Sequence, residues 1–216
     1  YSGNLSEPVY LPYGQDTSTE IDSTMFPDAV LLEAVKTQIG TTIEDLNAFE
    51  GTLDLSNLDI QDYTGLNLIK ADTINLTGSN LTEIQPGTFN KQVNHIILKD
   101  SVSLQNIWYD SFKDTQTSSI DITGCNALEV LGLNDSEMET IEYGDTSVFT
   151  NMVSVNLSGS CFDLSEGTPE KAFVDAMTEM TAGKEDIVAS EQESLSAGAA
   201  IVSSKNITRV EDIFDG

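Results

Sequence analysis

A short alternation of apolar and polar residues recurs along the middle of the chain. Each copy is apolar–polar–apolar, followed by a polar turn and usually by another apolar residue. Alternation of this kind is typical of a strand that buries one face. The first three spacings are 21, 22 and 24 residues, which indicates a coil that repeats along a solenoid. The five copies begin at Leu53, Ile74, Ile96, Ile120 and Val155.

A second register runs in phase with the first. Phe89, Phe112 and Phe149 each fall six to eight residues before the next strand motif. A regularly placed Phe on the returning arm fills the interior of a coil, and stacked coils share one core. The two registers together predict an α/β solenoid, a short leucine-rich-repeat domain of four to six coils. We expect its parallel sheet to line the concave face.

The last spacing, of 35 residues between Ile120 and Val155, is too long for one ordinary coil. The segment 131–152 therefore holds either an insertion or an extra coil. LEVLGL at 128–133 and METIEY at 138–143 contain strand-like pieces. The pattern does not decide between the two alternatives.

Helical signals flank the repeats. FPDAVLLEAVKTQIG, residues 26–40, has apolar residues every fourth position and an N-cap candidate in Asp28. A second short helix follows, with a capping box expected between Thr41 and Glu44. A third is expected over 169–183, with Phe173, Met177 and Met180 on one face. The resulting division is a lead-in at 1–24, a helical cap at 25–50, repeats at 51–163 and a C-terminal cap containing a helix at 164–216.

Three stretches carry a family resemblance. FPDAVLLEAVKTQIG, TIEDL and LDLSNLDIQDYTGL resemble the opening of internalin-like bacterial surface leucine-rich-repeat proteins, and LTEIQPGTF resembles their longer repeats. The resemblance covers about residues 26–160. It implies secretion, surface attachment and protein binding, although such repeats serve many binding roles.

The charge balance narrows the partners. The chain has 36 Asp and Glu against 9 Lys and Arg, a formal net charge of −27. A polyanion repels nucleic acid and anionic lipid, so we expect neither nucleic-acid binding nor membrane insertion. A basic protein is the favoured partner, although the charge is also explained by solubility outside a cell. We expect a monomer that is extracellular or attached to a cell surface, in processed form because it begins at Tyr1.

No catalytic constellation is found in the sequence. The one histidine, His95, falls in a different coil from Cys161, and Asp54 and Asp121 are separated by two coils. No G-x-S-x-G motif or phosphate-binding glycine loop is present. We therefore expect no enzyme activity and no cofactor. Five acids, Asp135, Glu137, Glu139, Glu142 and Asp145, are expected to form a solvated loop rather than a Ca²⁺ site.

The two cysteines leave an alternative open. Cys125 and Cys161 each lie a few residues into a strand motif. If 131–152 is an insertion, their coils are neighbours and a disulfide can form. If it is an extra coil, they are too far apart. Free, buried thiols are the favoured interpretation.

The candidate binding surface is the outward face of the predicted sheet, where small polar residues alternate with the buried ones. Its bulky or basic members, His95, Ile97 and Lys99, belong to one coil. We expect protein recognition or adhesion there, with a carbohydrate-binding or envelope structural role as the alternative. Small polar side chains also simply suit a tightly curved sheet. Trp108 and Tyr109 are a candidate side patch. The other residues assigned to the face are Asp54, Asn75, Asp121, Thr123 and Asn156.

Overall fold

Short parallel strands build two sheets in the computed structural model, which describes residues 19–184 and the strand at 200–201. Sheet 1 and sheet 2 each have five strands, and between residues 73 and 156 the chain alternates between them, so each coil there contributes one strand to each sheet. The predicted solenoid of four to six coils is therefore confirmed, although the sequence suggested one sheet. Sheet 1 contains, in order, β1 (Thr52–Asp54), β2 (Thr73–Asn75), β4 (His95–Ile97), β6 (Ser119–Asp121) and β8 (Thr140–Glu142). Sheet 2 contains β3 (Glu83–Ile84), β5 (Asn106–Ile107), β7 (Val130–Gly132), β9 (Ser154–Asn156) and β10 (Ala200–Ile201).

Each three-residue strand of sheet 1 buries its central side chain and turns its two neighbours outward. Because successive side chains of a strand point to opposite faces, one apolar residue per strand is enough to build a continuous core. The central residues of sheet 2 meet them from the other side. The buried central residues are Leu53, Ile74, Ile96, Ile120 and Ile141 in sheet 1 and Leu131 and Val155 in sheet 2.

The chain is made of two kinds of half-coil. One is an apolar–x–apolar strand with a tight turn, and the other is a strand followed by an arm that ends in Phe. From β1 to β6 the first kind lies in sheet 1 and the second in sheet 2. After β6 the order changes, because the next half-coil is also of the first kind. Its strand, β7, with Leu131 and Leu133, lies in sheet 2. The strand with the Phe149 arm, β8, consequently falls in sheet 1.

This exchange explains the long spacing. Ile120 lies in sheet 1 and Val155 in sheet 2, so the residues between them make one and a half coils rather than an insertion. LEVLGL supplies β7 and METIEY supplies β8. The pattern predicts that the strand at Val155 joins the same sheet as the first four, and the structure corrects this prediction. In both sheets an apolar central residue enters the core, as Ile120 and Val155 do, so the motif does not reveal which sheet it joins.

Phenylalanines fill the returning arms as their spacing predicts. The rings of Phe89 and Phe112 are stacked, with centroids 6.3 Å apart and planes at 10°. Phe149 meets Phe173 edge-on at 6.2 Å. All four rings are at most 5% exposed. Since β8 lies in the last coil of sheet 1, its arm packs on the C-terminal cap instead of on another Phe arm.

The turns after the apolar–x–apolar strands share a left-handed residue. Asn57, Gly78, Asp100 and Gly124 follow one another in successive coils, all with φ between 55° and 76°. A Cβ atom on Gly78 would lie 2.5 Å from the Asn57 side-chain oxygen. Short polar residues and glycines alternate here because the side chain of one turn occupies the space that a Cβ of the next would need.

Buried hydroxyl and thiol groups lie beneath these turns. Ser101 Oγ donates to the carbonyl of Leu76 at 3.1 Å, and Cys125 Sγ donates to the carbonyl of Leu98 at 3.1 Å. Each bond joins one coil to the preceding one. Buried polar groups of this kind remain inside the protein because they are hydrogen-bonded.

The N-terminal cap is formed by α1 (Ala29–Gln38) and α2 (Ile43–Ala48). Asp28 is the N-cap of α1, as predicted, and accepts hydrogen bonds from Val30 N and Leu31 N. The capping box joins Thr42 and Asp45, not Thr41 and Glu44, because α2 begins at Ile43. Residues 19–24, assigned to the lead-in, take part in the cap: Ile21 is fully buried and Glu20 bridges to Thr42. Residues 1–18 of the lead-in lie outside the described residues.

The C-terminal cap contains α3 (Pro169–Thr181), which packs against β8 and β9. Phe173 and Met177 are fully buried, and Met180 packs on the core, as their spacing predicts. The ring of Tyr143 lies 4.9 Å from that of Phe173. Lys184 donates to the carbonyl of Met152 at 2.7 Å, tying the end of the helix to the last coil. The remainder of the predicted cap, residues 185–199 and 202–216, lies outside the described residues.

Candidate functional site

Strand register places the outward side chains of sheet 1 in two columns, one that begins at Thr52 and one that begins at Asp54. The expected alignment of the first four coils is confirmed, since Asp54 pairs with Asn75, Asn75 with Ile97, and Ile97 with Asp121. Neighbouring rungs are about 4.8 Å apart. The fifth rung is Glu142 rather than Asn156. Asn156 lies in sheet 2, is 5% exposed, and is therefore not part of this face.

Several polar side chains of this face accept hydrogen bonds that stabilise the turn after their own strand. Asp54 accepts from Ser56 N at 3.0 Å, and Asp121 accepts from Thr123 N at 2.8 Å. Asn75 accepts from the backbone N and the hydroxyl of Thr77 at 3.0 and 2.7 Å. The side-chain and backbone hydrogen bonds from Ser56 keep the pKa of Asp54 below its usual value. These short polar residues have a structural role in the turns, whatever they contact on the outside.

The coil of β4 interrupts this regularity. Ile97 stands where its neighbours carry Asn75 and Asp121, and it is half-buried. His95 Nδ1 lies 2.7 Å from Ser119 Oγ, which links the histidine to the next strand. Lys99 is exposed beyond the end of the strand. One coil thus provides an imidazole, an aliphatic side chain and a cation on an otherwise small and polar face.

Acidic groups surround this coil without ion pairs to balance them. Asp121 and Glu142 occupy adjacent rungs, and Asp54 lies on the far side of Asn75. Within the part of the chain that the structure describes, the ion pairs join Lys171 to Asp175 and Glu166 on the C-terminal cap, away from this face. Asp54, Asp121 and Glu142 therefore give this part of the face a negative potential.

The expected side patch is smaller than the sequence suggests. Trp108 is half-buried and its indole N–H donates to Glu83 Oε2 at 2.7 Å. Tyr109 is only 6% exposed and forms a small cluster with Val130, apart from the main core. The patch is therefore the partly covered Trp108 ring, because Tyr109 turns inward beside β7.

A polar groove lies beside β3, along the first two coils. Its volume is about 540 Å³, and amides and hydroxyls line much of it, among them Tyr63, Asn67, Asn80 and Gln85. The Tyr63 hydroxyl accepts a hydrogen bond from Asn80 N at 3.2 Å, and burial raises the pKa of Tyr63. Sequence reasoning missed this groove because its walls come from two different coils.

A second groove, also missed, lies between α1 and β1. It encloses about 560 Å³ and has more apolar than polar lining. Val30 and Leu58 line it together with the backbone-bound side chain of Gln38. Leu58 is the one signal in the sequence: register places it opposite the buried Ser79, where the later coils carry Ser101 and Cys125.

The residues considered for chemistry are dispersed. His95 is on sheet 1, whereas Cys161 follows β9 of sheet 2. Both cysteines are reduced thiols, and burial raises the pKa of the Cys125 thiol to about 12. Cys161 is half-exposed, and its Sγ lies 3.6 Å from Glu137 Oε2. Because β7 and β8 form a further pair of strands, the neighbouring-coil geometry that a disulfide required does not arise.

The acidic segment 135–145 is distributed over several elements. Asp135 lies in the turn after β7, Glu142 in β8, and Asp145 caps a short 3₁₀ helix through Ser147 N at 2.9 Å. Residues 19–184 contain no group of three His, Cys, Asp or Glu side chains that could hold a metal ion. The expectation that these acids are solvated rather than bound to Ca²⁺ stays a prediction. Across the same range, no helix has both the length and the apolar character needed to cross a bilayer.

Comparison with known proteins gives one family and two bacterial relatives. Residues 26–160 match the family model described as the Endo-beta-N-acetylglucosaminidase EndoS LRR domain. The chain is 33% identical over 166 residues to Endo-beta-N-acetylglucosaminidase EndoS of Streptococcus pyogenes serotype M1, a match that covers 73% of this chain and 16% of that protein. It is 28% identical over 171 residues to Endo-beta-N-acetylglucosaminidase EndoSd of Streptococcus dysgalactiae, covering 77% and 18%. The matches thus span less than a fifth of either relative.

Proposed function

This chain belongs to the family of leucine-rich-repeat domains found in EndoS, and we propose that it is a non-catalytic, extracellular module that recognises a protein through sheet 1. The observation that carries the proposal is the coil of β4. His95, Ile97 and Lys99 form a compact group of larger side chains on a face that is otherwise small and polar.

Interface energetics explain why this group is the expected centre. A few large side chains that become fully buried contribute most of the free energy of binding, and the small residues around them exclude water. Ile97 supplies apolar area, and Lys99 and His95 supply donors. The partner also meets Asp54, Asp121 and Glu142, so a basic surface gains attraction that is sensitive to salt.

A non-catalytic role is supported by the site and by the extent of the match. The relatives are named for an endo-beta-N-acetylglucosaminidase activity, but the family match covers an LRR domain. Glycoside hydrolysis needs two carboxylates about 5–10 Å apart across a cleft. Asp54 and Asp121 are three rungs apart, about 14 Å at the usual strand spacing. Asp121 and Glu142 are closer, yet they lie side by side on an open face.

Carbohydrate binding is the second candidate. It is supported by the groove lined by Tyr63, Asn67, Asn80 and Gln85 and by the names of the relatives. Amides, hydroxyls and one aromatic ring are suitable groups for a sugar. The groove is separate from the outward face of sheet 1, so mutations can distinguish the two candidates.

The test is capture of partners with the immobilised chain, compared with Ile97→Glu, Lys99→Glu and Val102→Glu. Val102 is 57% exposed and is not among the residues assigned to the face, so it is the matched control. We expect a protein whose affinity falls more than about tenfold in the first two variants and stays unchanged in the third. A glycan array with Trp108→Ala and Tyr63→Ala runs alongside. Glycan binding lost in those variants, with no protein captured, would replace protein recognition by carbohydrate binding.

A further inference from the structure

The groove between α1 and β1 has a rigid floor. Gln38 Nε2 donates to the carbonyl of Asp54 at 2.7 Å, and Gln38 Oε1 accepts from Asp54 N at 2.8 Å. The other end of α1 is held by Asp28, which accepts from Gln61 N at 2.8 Å. The helix is therefore fixed to the first coil at both ends, and the groove between them is preformed.

The walls of the groove are apolar for identifiable reasons. Ala29 and Ala34 are the small residues of α1 on this side, and Val30 is 40% exposed. On the facing wall, Leu58 takes the register position of Ser79. In the later coils the Ser101 hydroxyl and the Cys125 thiol bond to a carbonyl of the preceding coil, but the first coil has no coil before it. Leu58 packs on the core and leaves part of its side chain lining the groove.

The rim of the groove is anionic. Glu33 and Asp54 lie on its two sides, and neither forms an ion pair with another described residue. Lys36, the basic residue in the last turn of α1, does not line the groove. Charge therefore favours an occupant that carries Lys or Arg beside its apolar group.

We propose that this groove is the anchor point of the docking surface, and that it takes a large apolar side chain from a basic segment of the partner protein. The inference rests on the proposed function and adds the partner's chemistry. A volume of about 560 Å³ accommodates an aromatic or long aliphatic side chain with part of its backbone. Ile97 lies two rungs from Asp54, about 10 Å away, so one partner reaches both. A second copy of this chain, at a net charge of −27, does not match the anionic rim.

The probe is the synthetic peptide acetyl-KKFLKK-amide, titrated into isotope-labelled full chain and followed by methyl and amide NMR. Acetyl-KKSSKK-amide has the same charge without the apolar side chains, and acetyl-EEFLEE-amide has the apolar side chains with opposite charge. We expect saturable shifts at Val30, Ala34 and Leu58 with the first peptide alone. Equal shifts with the serine peptide would show that only general charge attraction binds the peptide, and would overturn the inference.

Variants separate the groove from the sheet face. Val30→Lys removes an apolar wall and adds a like charge, so affinity for the basic apolar peptide should fall at least about tenfold. Val102→Lys is the same substitution at an exposed valine and should leave affinity within about twofold, with both melting curves unchanged. Peptide binding that survives Val30→Lys would overturn the inference. So would peptide-independent dimerisation in sedimentation that Val30→Lys abolishes.

Ile97→Glu makes the two proposals distinguishable. This substitution should weaken binding of the captured protein but leave binding of the peptide unchanged, since the peptide occupies only the groove. If the peptide fails to bind while the captured protein still depends on Ile97, the groove inference is wrong and the proposed function stands. If the peptide binds the groove and no protein depends on Ile97, the docking face of the proposed function is wrong.

Discussion

The side-chain amide of Gln38 bonds to the backbone of Asp54 in the way that a neighbouring strand would. Its Nε2 donates to the Asp54 carbonyl at 2.7 Å, and its Oε1 accepts from the Asp54 N–H at 2.8 Å. In β1, the backbone N–H and C=O groups of Leu53 point towards β2, and those of Asp54 point towards the open edge of sheet 1. An edge strand with free N–H and C=O groups is a site for unwanted pairing, and this amide covers it.

Gln38→Ala should lower the free energy of unfolding by about 1–2 kcal/mol, because two hydrogen bonds at the sheet edge are lost. Gln38→Glu keeps the acceptor but places a carboxylate against the Asp54 carbonyl. We expect it to be less stable at pH 7 than at pH 4, where the protonated acid can donate. Urea denaturation measures both variants, with Thr37→Ala as the adjacent control. Equal stability of Gln38→Glu at the two pH values, relative to wild type, would contradict the pairing.

Asp28 joins the cap to the first coil through one carboxylate. Oδ1 accepts from Val30 N and Leu31 N, and Oδ2 from Gln61 N and Asp62 N at 2.8 and 3.2 Å. Asp28→Ala should cost about 2–3 kcal/mol, more than an ordinary N-cap, because the loop at 61–62 loses its acceptor as well. Asp28→Asn retains one acceptor oxygen and should cost less. Hydrogen exchange at Gln61 and Asp62 should accelerate in both variants, and unchanged exchange there would rule out the bridge.

Stability should pass through a maximum in mildly acidic solution. Burial would raise the pKa of Asp28, but its backbone hydrogen bonds outweigh this and leave the pKa lowered. Hydrogen bonds from Thr24, Thr42 and Thr64 lower the pKa of Asp22, Asp45 and Asp62. A carboxyl with a lowered folded pKa contributes stability above its unfolded pKa of about 3.9 and loses it as pH falls through the folded pKa.

Repulsion acts in the opposite direction, because protonation relieves a net charge of −27. From pH 7 we therefore expect the melting temperature to rise towards about pH 4–5 and to fall below about pH 4. Adding 0.5 M NaCl should flatten the rise and keep the acid fall. A melting temperature that rises steadily down to pH 2.5 would show that the hydrogen-bonded carboxylates contribute nothing.

The two thiols should differ sharply in reactivity. Burial raises the pKa of Cys125 to about 12, whereas Cys161 is half-exposed. In the native protein, Ellman's reagent should label one thiol quickly, and the second should react only after unfolding. Cys161→Ser should remove the fast phase. Cys125→Ser should keep both the fast phase and the fold, since Ser101 occupies the corresponding position in the preceding coil. Two fast thiols, or none, would contradict the assignment.

Much of the solenoid follows from local patterns. The period of the apolar residues identifies the strands at Leu53, Ile74, Ile96 and Ile120, because one side chain in each must be buried between the sheets. The N-cap at Asp28 is likewise recognisable, since a helix needs an acceptor for its first N–H groups within a few residues. Phe173 and Met177 are placed on the buried face of α3 by helical spacing alone.

The tertiary structure decided what depends on residues distant in the chain. The motif at Val155 looks the same in either sheet, and only the intervening β7 and β8 place it in sheet 2 and take Asn156 off the candidate face. Part of the Leu58 side chain lines the groove because α1 lies beside it, held by the hydrogen bond between Gln38 and Asp54. Strand alternation is a property of consecutive residues and is therefore readable from sequence. The sheet that each half-coil joins and the walls of the grooves depend on how separate segments stack, which no local pattern encodes.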